Sequence, residues 1–162
     1  MPDLTIAPGR MYNEEEIADL IANGKTLGFP RCRQEGWYLQ KSAGDVDPVL
    51  LVGLGFIGVA LAKWTLNKCF DASWDKVKTF IAYCSNKQKN GKRPNLILTV
   101  KSEDVDVHLF LKNTDENTIK HALDKVPAYI KEAKTKKKDK IMPSAFYDAK
   151  LGWGTPEELR KI

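Results

Sequence analysis

Asp47-Pro48-Val49-Leu50-Leu51-Val52-Gly53-Leu54-Gly55-Phe56-Ile57-Gly58-Val59-Ala60-Leu61-Ala62-Lys63-Trp64 is the stretch whose reading decides the fold. Three readings compete for it. As a dinucleotide fingerprint, Val49–Val52 is a strand and Gly53-x-Gly55-x-x-Gly58 lets the backbone approach a pyrophosphate at a helix N-terminus. As a membrane segment, Val49–Ala62 is apolar for 14 residues, short of the roughly 17–25 that a span needs. Snorkelling of Lys63 and an interfacial Trp64 extend it to residue 66. As a core helix, Asp47 caps, Pro48 occupies the first turn, and the glycines permit close packing.

The flanking sequence favours the core helix. A fingerprint needs a second strand ending in an acid about 20 residues on. There the chain reads Asp71-Ala72-Ser73-Trp74-Asp75, which opens a helix instead. In that helix Trp74, Val77, Phe80, Ile81 and Cys84 recur at three- and four-residue spacing. Before the apolar stretch, Asn13 and Glu16 form a capping-box pattern for a first helix, with Ile17, Leu20 and Ile21 on one face and Asn23-Gly24 as its stop. The intervening residues 25–47 read as loop, with a short strand at 36–40.

Period-two alternation is clearest beyond residue 94. Leu96, Leu98 and Val100 share one strand face, and Val105, Val107, Leu109 and Leu111 share another. The turn Ser102-Glu103-Asp104 joins them as an antiparallel hairpin. Thr114-Asp115 caps a third helix with Ile119, Leu123, Val126 and Ile130 inward, which Pro127 kinks or ends early. Thr155-Pro156-Glu157-Glu158 announces a last short helix. The predicted fold is one α+β domain over residues 1–162: a short antiparallel hairpin or sheet centred on 95–112, packed by several helices. An arm at 1–12 precedes it, and a lysine-rich, aromatic tail at 131–162 follows.

The 162 residues suffice for one domain with a sizeable core. A formal net charge of +5 and a pI near 9.0 fit anionic partners or a solvated basic surface. Cys32, Cys69 and Cys84 are an odd number without a Cys-x-x-Cys pair, as expected of reduced thiols in a cytoplasmic protein. The N-terminal segment lacks a basic region followed by an apolar run, so no secretory leader is expected. Membrane association through the 48–66 helix is the alternative location.

Catalytic signatures are sparse. Gly24-Lys25-Thr26 lacks the first glycine of a phosphate loop, since position 19 is Asp19. Asp106 and His108 share a strand face without an evident nucleophile, and His121 stands alone. Two histidines and scattered cysteines give no metal-site spacing, and no cofactor is expected. The enzymatic alternative is a nucleotide-binding site at Gly53, Gly55 and Gly58.

Contact residues are easier to nominate. Lys136, Lys137 and Lys138 centre the densest charge cluster, Lys131–Lys140, suited to the phosphates of a nucleic acid or to an anionic lipid membrane. Arg31 and Arg33 lie beside Trp37, combining cations with an aromatic as a contact surface does. Trp153, flanked by glycines, either wraps the domain or docks on a partner.

The order of apolar helix, Ser73-Trp74-Asp75 helix, charged linker, hairpin and closing helix, over about 48–133, resembles uncharacterised small bacterial domains encountered near defence or conflict genes. The resemblance implies an accessory or effector-type component and assigns no catalytic residue. The expected function is a non-enzymatic protein-interaction or accessory module, by partner binding or self-association. A membrane-associating effector and a nucleotide-binding enzyme are the alternatives.

Overall fold

The computed structural model describes residues 2–38, 47–56, 61 and 68–160, with side chains from residue 73 onward in the last of these. In chain order the elements are β1 (Asp3–Pro8), α1 (Glu14–Thr26), β2 (Cys32–Gln34), β3 (Val49–Phe56), α2 (Lys68–Ser85), β4 (Asn95–Ser102), β5 (Asp106–Leu111), α3 (Glu116–Asp124), α4 (Val126–Lys136), β6 (Ala145–Asp148), β7 (Gly152–Gly154) and α5 (Pro156–Arg160). All the strands join one seven-stranded mixed sheet, ordered β2-β1-β3-β4-β5-β6-β7. The α+β class therefore holds, but the expected short antiparallel hairpin packed by helices does not.

The sheet is built from three parallel pairs, β1 with β2, β3 with β4 and β5 with β6, each spanned by helix. Antiparallel ladders join β1 to β3, β4 to β5 and β6 to β7. The expected hairpin over 95–111 is present as β4–β5, at the centre of the sheet rather than as the whole of it.

The decisive stretch is a strand where the structure describes it. Val49–Phe56 is β3, paired along its length with β1 and β4, so the core-helix and membrane-helix readings of 48–66 fail over these residues. Residues 57–60 and 62–67 lie outside the described residues. Pro48 does not open a helix: its carbonyl accepts from the Asn95 amide at 2.8 Å and starts the ladder. The misreading has a physical cause. A central strand buried on both faces is a near-continuous apolar run, which periodicity alone does not separate from a buried helix. Among the described residues no helix is long and apolar enough to cross a membrane.

The N-terminal arm contributes β1, and the tail contributes β6 and β7. The arm was expected to be irregular or short extended chain, and no strand was expected in the tail. Strands β1 and β6 find partners far along the chain, and β7 pairs with β6 across a short turn. A short strand lies at Cys32–Gln34; of the strand expected at 36–40, residues 36–38 are not strand and residues 39–40 lie outside the described residues. Helix α1 carries the capping box: Asn13 accepts from the Glu16 amide at 2.9 Å and Glu16 accepts from the Asn13 amide at 3.1 Å. It continues past Asn23-Gly24 to Thr26 because Gly24 is the contact point with the sheet. A Cβ there would lie 2.6 Å from Cys32 Sγ and 3.2 Å from Leu4 Cδ2. Pro127 ends the expected long helix and begins α4, near its first position.

One sheet face carries Leu4, Ile6, Leu50, Val52, Leu54, Leu98, Val100, Val107 and Leu109, all buried under the helices. The other carries an apolar row and a polar row across the strands. Ala7, Leu51, Ile97, Phe110 and Phe146 form an apolar row, in which Phe110 stacks on Phe146 at 4.8 Å. Arg33, Thr5, Gly53, Thr99 and His108 form a polar row. Gly53 is required there, because a Cβ would collide with Thr5 Oγ1 and lie 3.2 Å from Thr99 Oγ1. Gly53→Ala is expected to cost about 1–3 kcal/mol through overpacking. The Gly53→Ala/Thr5→Ala pair recovers part of that loss in urea unfolding; equal loss with or without Thr5 would refute the contact.

A charged network ties α1 to the end of α2. Lys87 pairs with Asp19, which also accepts from Tyr83, and Lys89 pairs with Glu16 at 2.7 Å. Lys87 and then Tyr83 hold the Asp19 carboxyl below the usual range. For Glu16, burial opposes the charge, but the Lys89 hydrogen bond and the Asn13 amide outweigh it. Lowered folded-state values mean stability that is present above the unfolded carboxylate pKa of about 4 and is lost as pH falls below it. The urea midpoint should drop between about pH 5 and pH 2. The Glu16→Gln/Asp19→Asn variant should drop less steeply from a lower starting value; an unchanged slope would remove these two groups from the acid response.

Candidate functional site

The residues nominated from sequence fall at opposite edges of the sheet. Arg31, Arg33 and Trp37 lie at the β2 edge, where Arg33 is opposite Thr5 and Arg31 stands 3.6 Å from Asp3. Trp37 is exposed there. Lys136, Lys137, Lys138 and Trp153 lie at the β7 edge, six strand spacings away, about 29 Å. They are therefore two surfaces and not one.

At the β7 edge the sequence candidates converge. A cleft of about 250 Å³ opens between α4 and α5, lined by Lys136, Lys137 and Trp153. Tyr129, Met142 and Pro143 complete an aromatic and apolar floor, with Glu132 on the α4 rim and Glu157 and Glu158 on the α5 rim. Tyr129, Glu132, Ala133, Lys136 and Lys137 reach it together because three- and four-residue steps keep one helix face. Met142 is set by the ladder continuing below β6: its amide donates to the Asp106 carbonyl at 2.9 Å.

Trp153 is positioned by its indole. Nε1 donates to the Ala122 carbonyl at 2.7 Å, and Trp74 Nε1 donates to Leu123 at 3.1 Å. Two indoles thus add donors to carbonyls at the α3 C-terminus, which the Lys125 amide also caps. Tyr147 and Tyr129 pack on Trp153 at 5.3 and 6.5 Å between ring centroids. Burial, then Glu158 and Glu132, push the Tyr129 hydroxyl's pKa up. That hydroxyl stays neutral at physiological pH and offers a donor and an acceptor to an occupant.

The lysines are not equivalent. Lys134 Nζ donates to the Lys138 and Asp139 carbonyls at 3.2 and 3.0 Å, closing the chain after α4. Lys136 stands 3.5 Å from Glu132. Lys137, Lys138 and Lys140 are exposed and have no ion-pair partner among the described residues. Opposite them, Glu158 accepts from the Thr155 amide at 3.0 Å, a second capping box at the start of α5.

The nucleotide alternative fares differently. Gly53 and Gly55 sit within β3, between Thr5 and Thr99 and between Asp3 and Lys101, whereas a fingerprint places its glycines at the strand-to-helix turn. Gly58 lies outside the described residues. His108 is exposed opposite Thr99, and Asp106 is opposite Lys101. Among the described residues no group of three or more His, Cys, Asp or Glu is placed to hold a metal ion. Cys32 and Cys84 are free and buried, and burial pushes the Cys32 thiol up to about 11, so it is unreactive at neutral pH.

Tyr129, Met142, Pro143 and the three glutamates were not nominated from sequence as site residues. The 129/133/136/137 spacing on α4 was the available signal, obscured by reading the lysines as one undivided cluster.

Fold and site together define a mixed-sheet α+β domain, helices on one face, with a small amphoteric cleft at one sheet edge. Comparison with protein-family models, with curated proteins and with solved structures finds no match.

Proposed function

We propose that this chain is a non-enzymatic protein-interaction module and that the α4–α5 cleft receives a side chain from a partner's segment. The carrying observation is the cleft itself: an aromatic and apolar floor ringed by charges of both signs. Its volume of about 250 Å³ lies below the roughly 300–1,000 Å³ of small-molecule sites. It suits one anchoring side chain, the usual centre of a protein interface, with a polar rim around it.

The reading is tested by peptide display. Peptides selected on the intact protein should shift the Trp153 indole resonance. They should also lose at least tenfold in affinity to Ala133→Arg, which fills the cleft from α4, provided its melting temperature is retained. Selection of no peptide, or of peptides indifferent to Ala133→Arg, would overturn the proposal.

A further inference from the structure

Resting on that reading, we infer that the partner segment is acidic: an apolar or aromatic anchor enters the cleft, and carboxylates flanking it lie along Lys137, Lys138 and Lys140.

The charges around the cleft are unequally partnered. On the α4 side Lys134 is committed to the carbonyls that follow the helix, and Lys136 is offset by Glu132. Three exposed ammonium groups against one exposed carboxylate, Asp139, remain within four residues, at the point where the chain leaves α4 for Met142 on the cleft floor. On the α5 side there are two carboxylates, and Glu158 is engaged in the capping box. The rim is therefore polar in direction, with its excess cation on the α4 side. The C-terminal end of the α4 dipole favours that placement of lysines, so their clustering alone would mean little. The second feature is that Lys137 lines the cleft with its aromatic floor, and Lys138 and Lys140 follow it along the chain towards Met142. An occupant with a neutral anchor and acidic flank satisfies both at once, and a basic flank would face the lysines. Ile141, 76% exposed beside Lys140, extends apolar surface along the same path.

Rim charges of this kind act through rate and salt dependence more than through buried contact. Three exposed pairs together amount to about a tenfold gain in affinity at low salt.

The test uses the whole chain and three capped peptides of one length, each with a central phenylalanine flanked by glutamates, serines or lysines. Binding is read at the Trp153 indole resonance. The glutamate peptide is expected to bind about tenfold tighter than the serine peptide. The gap should close in 0.5 M salt and in the Lys137→Gln/Lys138→Gln/Lys140→Gln variant, whose exposed changes leave the fold intact. Equal binding of glutamate and serine peptides, or tighter binding of the lysine peptide, would overturn the acidic assignment and leave the cleft as a docking site. If no peptide moves Trp153, the docking reading fails as well. A short single-stranded oligonucleotide binding more tightly than the glutamate peptide, through the same lysines, would overturn it in favour of nucleic acid.

Discussion

Replacing Trp153 by alanine is expected to destabilise the protein by about 3–5 kcal/mol, the usual cost of removing a large buried aromatic. Only 9% of Trp153 is exposed, and its ring holds Tyr129 and Tyr147 in place. The loss is a large share of the roughly 5–15 kcal/mol that holds a domain folded. Trp153→Phe separates packing from hydrogen bonding. It keeps most of the ring but removes the donor to Ala122, whose carbonyl still accepts from the Lys125 amide at 3.2 Å. That variant should lose only about 1–2 kcal/mol. Urea midpoints read both changes. A loss below about 1 kcal/mol for Trp153→Ala would make Trp153 a surface residue and remove the floor of the cleft.

The second large effect tests the strand assignment of the apolar stretch. Val52 is buried beneath the helices, and Leu51 is half-buried on the opposite face. Val52→Asp places a carboxylate where nothing pairs with it, at a cost of several kcal/mol even after it takes up a proton. Leu50→Asp and Leu54→Asp should be equally severe, leaving chains that lack a cooperative unfolding transition. Leu51→Asp should cost no more than about 2 kcal/mol and fold normally. This ordering follows period two. A helix would place position 52 across from 50 and 54 and so spare it. If Val52→Asp folds well while Leu50→Asp does not, the strand is wrong.

Elements governed by local chemistry were legible. The Asn13–Glu16 capping box, the Asp115 cap, the boundary at Pro127 and the β4–β5 hairpin all rest on contacts a few residues apart. Asp115 accepts from the Thr118 amide at 2.8 Å, as its position before an amphipathic run implies. Strands β1, β2, β6 and β7 were not legible. The last three are at most four residues long; β2 and β6 take hydrogen bonds from distant chain, and β7 pairs with β6 across a short turn once β6 is in place.

The candidate site divides the same way. Lys136, Lys137, Lys138 and Trp153 were nominated by residue type, and the structure brings Lys136, Lys137 and Trp153 into one cleft. Arg31, Arg33 and Trp37 were nominated on equal grounds and lie about six strand spacings away. Residue type states what a side chain offers to a partner; it carries no information about which other side chains stand beside it.

By itself the sequence determined the caps of α1, α3 and α5, the central hairpin, the buried faces of α1 to α3 and the basic surface after α4, because each follows from spacing within a few turns. The caps expected at Asp47 and at Asp71–Ser73 fail, since Asp47 precedes a strand and α2 begins at Lys68. Only the tertiary structure decided that Val49–Phe56 is a strand. A run apolar on every side suits helix or central strand equally, and the ladders from β1 and β4 break the tie. Tertiary structure also made the cleft, because α4, the Met142-Pro143 segment before β6 and α5 meet only once β6 and β7 have paired.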